Sequence, residues 1–177
     1  LSVDNVTLPN VTFGYTDVPE ATINITNIGA DNLKITNVTV SDNFEINISS
    51  QPTIGIGETN NDFKVKAKAG LDAGNYTGTI TVTDENTKTY TATVTLKVEP
   101  KQLTGLGISG LDSKWVYGTT KTPTATGVDD LVANDYEITY SKKDDSGNYV
   151  NKGTTLPKLV GKYKATLSIT NPNYTAS

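Results

Sequence analysis

A chain of 177 residues with a formal charge of −4 has room for one large domain or two of modest size. It contains no Cys and no His, which excludes a disulfide framework, thiolate nucleophiles, Cys- or His-based metal sites and the usual neutral-pH general base. The acidic balance, with Lys as the only basic residue, argues against a nucleic-acid partner and disfavours docking on anionic lipid; no run reaches the roughly 18–20 apolar residues of a membrane helix, so direct membrane insertion is not expected.

Taken in chain order, the pattern is period-2 alternation interrupted by turns, which marks half-buried strands. Residues 21–26 put Ala21, Ile23 and Ile25 on one face, and Asn27-Ile28-Gly29 follows as a reversal. In residues 33–40 the alternation slips by one at Thr36-Asn37, which predicts a β-bulge or kink. After turns at Gly55-Ile56-Gly57 and Gly70–Gly74, residues 63–68 and 74–82 alternate again, with Lys64, Lys66 and Lys68 outward. The clearest strand is 90–98, where Thr supplies the polar face and β-propensity of its own.

That strand runs into Glu99-Pro100-Lys101-Gln102, and a Pro cannot continue a central ladder. A domain boundary is placed there, giving residues 1–99 and 100–177. Beyond it come Leu103–Gly110, Lys114–Gly118, and Tyr136–Tyr140, and Lys142–Asn148 reads as a hairpin tip. Helical periodicity is nowhere sustained, so the expected class is all-β, as two tandem sandwiches. The two halves share one signature: Gly74-Asn75-Tyr76 and Gly161-Lys162-Tyr163 both give Gly-x-Tyr and then an alternating strand. In immunoglobulin-like sandwiches a Tyr near the start of the penultimate strand bonds back to nearby backbone and pins a crossover loop, so Gly74, Tyr76, Gly161 and Tyr163 are expected to be structural.

The first half, with Val11-Thr12-Phe13-Gly14, Ile23–Gly29, Leu33–Val38, Phe44-Glu45-Ile46 and Ala73–Gly78, resembles the ASPM–SPD-2–Hydin-like immunoglobulin-fold repeats of bacterial surface proteins. The second, with Leu103-Thr104-Gly105-Leu106, Val116-Tyr117-Gly118, Pro123–Gly127, Gly161-Lys162-Tyr163 and Asn173-Tyr174-Thr175, is similar to bacterial immunoglobulin-like repeats of the MBG or YDG type. The resemblance implies an extracellular module of the cell wall or cell surface whose partners are neighbouring domains of a parent protein. It implies no catalytic residue. In such repeats the Asn-Tyr step leads into a final strand, so the second domain is expected to end before that strand. With no Met, the chain reads as part of something longer.

Candidate chemistry is sparse. The adjacent carboxylates Asp129-Asp130 and Asp144-Asp145 point apart if extended, so neither is a ready acid/base pair across a cleft, and no catalytic residue is assigned. Asp144, Asp145, Ser146 and Asn148 are oxygen-rich but lack the spacing of a calcium loop; a solvated turn is expected, with no metal and no cofactor. Seven Asn-x-Thr/Ser tripeptides, from Asn5 to Asn173, are read as composition in a Thr-rich β protein. For a glycan or protein ligand the useful residues are exposed aromatics near turns, and Trp115, Tyr117 and Tyr149 are the candidates. A Lys–Asn isopeptide bond between strands is a further chemistry compatible with the composition. The expected role is a non-catalytic spacer or stalk, with an adhesion module as the alternative.

Overall fold

The computed structural model describes residues 1–47, 50–111 and 122–177, and among them every regular element is a strand. The protein is all-β. Contacts divide it into two compact units, Leu1–Pro100 and Lys101–Ser177.

In the first unit the strands are β1 (Ser2–Val3), β2 (Val6–Thr7), β3 (Val11–Thr12), β4 (Glu20–Thr26), β5 (Leu33–Val40), β6 (Phe44–Asn47), β7 (Thr53–Ile54), β8 (Thr59–Ala67), β9 (Gly74–Asp84) and β10 (Thr89–Glu99). One sheet has the order β1-β4-β8-β6 and the other β2-β10-β9-β5-β7, with β3 also beside β10. The amino-terminal segment switches sheets: β1 runs antiparallel to β4, whereas β2 and β3 run parallel to β10. Alternation sets the core. Ile23 and Ile25 of β4, Phe44 of β6 and Phe63, Val65 and Ala67 of β8 share one buried cluster with Ile35 and Val38 of β5, Ile80 and Val82 of β9, and Ala92, Val94, Leu96 and Val98 of β10.

The β5–β9 register shifts between Ile35 and Asn37, the bulge expected there. The freed Thr36 hydroxyl donates to the carbonyls of Thr83 and Asp84 at 3.1 and 3.0 Å, which fastens the displaced backbone to the neighbouring strand. A second shift, between Ile23 and Ile25 of β4, was not legible from alternation; opposite it, Asn60 and Asp62 of β8 bond to each other locally at 2.8 and 3.2 Å. At Gly78 of β9 the Phe44 ring comes close to the backbone: a Cβ there would lie 2.7 Å from Phe44 Cδ2 and 2.7 Å from Ser41 Oγ. Only a residue without a side chain lets the Phe44 ring reach that depth.

In the second unit β11 (Lys101–Leu103) pairs in parallel with β17 (Tyr174–Ala176), β12 (Gly107–Ser109) pairs with β13 (Thr124–Thr126), and β14 (Tyr136–Lys143) lies between β15 (Tyr149–Asn151) and β16 (Tyr163–Ile169). The β14–β15 connection is the hairpin read from Lys142–Asn148. Leu103 and Tyr140 are the buried apolar residues among those described here, and Asn173 is buried with them. Gly127, at φ +72°, sits so close to Gly105 that a Cβ would lie 2.5 Å from its carbonyl oxygen.

Candidate functional site

The tyrosine signature is built differently in the two units. Gly74 opens β9, and Tyr76 two residues on donates its hydroxyl to the Asp72 carbonyl at 2.8 Å. From the other side Tyr15 donates to the Lys68 carbonyl. Both rings pack against the core, so the loop 68–73 is held at each end by a phenol. Burial pushes the Tyr15 pKa up, opposed by a hydrogen bond from the Leu71 backbone and reinforced by the nearby Tyr76. In the second unit Tyr163 opens β16 with its ring 3.2 Å from where a Gly161 Cβ would stand, and Lys142 Cε is 2.8 Å from the same point. Its hydroxyl has no hydrogen bond among the described residues.

Of the aromatic ligand candidates, Trp115 and Tyr117 lie outside the described residues. Tyr149 is 48% exposed on β15, opposite Lys143 of β14, with Val150 beside it 44% exposed.

In each adjacent carboxylate pair one member, Asp144 or Asp130, has a partner within its own unit. Asp144 Oδ1 accepts the Asn148 amide at 2.8 Å and closes the hairpin turn. Asp130 binds Lys101 Nζ at 2.9 Å, and its carbonyl accepts the Tyr174 hydroxyl at 3.1 Å. Among the described residues no group of three or more Asp, Glu, His or Cys is placed to hold a metal ion. On the outer face of the first sheet a shallow depression of about 380 Å³ is lined by Glu20, Glu45, Ile46, Asn47, Lys64 and Lys66. Each of its carboxylates faces a lysine, Glu20 with Lys64 at 2.8 Å and Glu45 with Lys66 at 3.1 Å, all four about half exposed. Such pairs are screened by water and act weakly.

Two buried polar side chains of the first unit escaped the sequence reading. Asn27, fully buried, donates through Nδ2 to the carbonyls of Asp31 at 2.8 Å and Ile54 at 2.9 Å, and its Oδ1 accepts the Gly29 amide at 3.0 Å. Asp84, 2% exposed, accepts the amides of Asn86 and Lys88 through Oδ1 at 2.9 and 3.0 Å, and the Tyr90 hydroxyl through Oδ2 at 3.2 Å. Asp84 thereby organises the tight β9–β10 turn, in which Thr87 has φ +63°. The Asn27-Ile28-Gly29 and Asp84-Glu85-Asn86 turn signals marked these positions as reversals but not as buried anchors.

No protein-family profile matches the chain, and no curated protein matches it. Among solved structures it is similar to the VesB protease of Vibrio cholerae, with a TM-score of 0.39 and 20% identity. That match covers 55% of this chain, which spans about a third (32%) of the protease chain's length.

Proposed function

We propose that the chain is a non-catalytic structural spacer, or stalk, of a bacterial cell-surface protein, built of two tandem immunoglobulin-like β-sandwich domains over residues 1–99 and 100–177. The observation that carries this reading is where the polar chemistry goes. Asn27 and Asp84 are buried and committed to backbone partners or a neighbouring tyrosine, and Tyr15 and Tyr76 spend their hydroxyls on one loop. Groups arranged this way rigidify loops and leave none of these polar atoms facing a cleft. The bond from Tyr76 to the backbone four residues upstream is also what an immunoglobulin-like corner requires. The module is extracellular in this reading, and its partners are the neighbouring domains of the parent protein.

One observation favours a second reading, an adhesion module for a glycan or a host protein: the exposed Tyr149 beside Val150. A binding panel of neutral glycans and matrix proteins against the whole chain separates the two, with Tyr149→Ala and Trp115→Ala as controls. The spacer reading expects no saturable binding. Saturable binding lost in either variant would replace it with adhesion.

A further inference from the structure

The chain's net charge conceals an opposite distribution. Residues 1–100 carry six lysines against twelve carboxylates, whereas residues 101–177 carry nine against seven. The excess is concentrated: residues 142–164 hold six lysines and only Asp144 and Asp145. None of those six lysines forms an ion pair with a described residue, unlike Lys64, Lys66, Lys97 and Lys101.

The sheet gathers part of this charge on one face. Lys143 pairs with Tyr149 and Ser141 with Lys164, and the Lys143 amide donates to the Lys162 carbonyl at 2.9 Å. Because side chains alternate, Lys143, Lys162, Lys164 and Tyr149 share the solvent face, and all four are exposed. The opposite face carries the buried Tyr140. The loop joining β15 to β16 ends at this same cluster. It presents Leu159 and Val160 at 73% and 85% exposure, between Lys158 and Lys162. Val160 is two residues from Lys162, so at roughly 3.6 Å per residue it lies within about 7 Å of it along the backbone.

Two adjacent aliphatic side chains stand out in solvent here, and cations flank them. An anionic bilayer matches both features: lysines meet headgroup phosphates while a short apolar tip enters the boundary between headgroups and acyl chains. A soluble polyanion would satisfy the lysines but give Leu159 and Val160 nothing to do. We propose that this end of the second unit docks peripherally on an anionic lipid surface, with Leu159 and Val160 at the acyl boundary and Lys143, Lys158 and Lys162 at the phosphates. This docking does not depend on the spacer reading.

The test is co-sedimentation of the whole chain with phosphatidylcholine vesicles containing about one-third phosphatidylserine, against phosphatidylcholine alone. Binding is expected to the anionic vesicles only, and to weaken as salt rises to about 0.5 M. Lys143→Gln and Lys162→Gln should each weaken it about fivefold, and the double variant Leu159→Ser/Val160→Ser at least about tenfold. Lys64→Gln in the first unit should leave it unchanged. All these side chains are exposed, and a superimposable circular-dichroism spectrum checks that each variant folds. Failure to bind anionic vesicles, or equal binding to neutral ones, overturns the proposal. So does binding that needs the lysines but ignores Leu159 and Val160 and is matched on immobilised heparin, which would mark a polyanion site instead.

Discussion

Replacing Asn27 by Ala removes an amide that ties two loops of the first unit together, one near Asp31 and the other near Ile54. Three side-chain hydrogen bonds of 2.8, 2.9 and 3.0 Å disappear at a site with no solvent access. At roughly 0.5–1.5 kcal/mol net for each, and with partners left unsatisfied, the loss amounts to about 3 kcal/mol. For a unit of this size that is a fall of at least about 12 °C in its unfolding midpoint, read by differential scanning calorimetry on the intact chain. Asn27→Asp adds a sharper arm. One carboxylate oxygen then faces the Asp31 and Ile54 carbonyls, so burial and repulsion raise the folded-state pKa above the unfolded value near about 4. Between those two values the native state binds more protons than the unfolded state, so stability declines as pH rises through that window. The Asp variant should therefore be least stable near neutrality and recover part of its deficit as pH falls towards about 4. A midpoint shift under about 4 °C for the Ala variant, or a deficit of the Asp variant that ignores pH, refutes the anchoring argument.

Gly127→Ala should destabilise the second unit by at least about 2 kcal/mol in a urea titration, because it adds a Cβ at positive φ against the unyielding Gly105 backbone. Gly78→Ala drives a Cβ into the Phe44 ring and should cost about 1–3 kcal/mol, relieved in the double variant with Phe44→Leu. Tyr15→Phe and Tyr76→Phe should each cost about 1 kcal/mol and speed hydrogen exchange within residues 68–73 before it changes elsewhere. Burial raises the pKa values of Tyr15 and Tyr140, so their protonated forms favour the native state. That stability is complete below the unfolded value near about 10 and is lost as pH rises beyond it. Ultraviolet titration should show both ionising late in the folded chain, and Tyr15→Phe should flatten the alkaline loss of stability.

The strands of the first unit were legible because alternation is a local property: each of 21–26, 63–68 and 90–98 carries its own buried face. The bulge at Thr36 was legible for the same reason, since a one-residue slip in the pattern has few other causes. What stayed hidden depends on residues far apart in sequence. Asn27 meets Ile54 across 27 positions and Tyr15 meets Lys68 across 53, and no spacing rule links them. Gly78 looked like one more glycine in a strand, although its absent side chain is what admits Phe44. The lysines near β15 were hidden by averaging, because twelve carboxylates in the first hundred residues outweigh them in the total charge.

The spacer account makes this chain part of a longer surface protein, and it is tested most directly by deleting residues 1–177 from that protein and measuring both its ligand binding and the distance of its distal end from the cell wall. The account predicts an end held closer to the wall with ligand binding retained at equal display level. Binding abolished at equal display would contradict it.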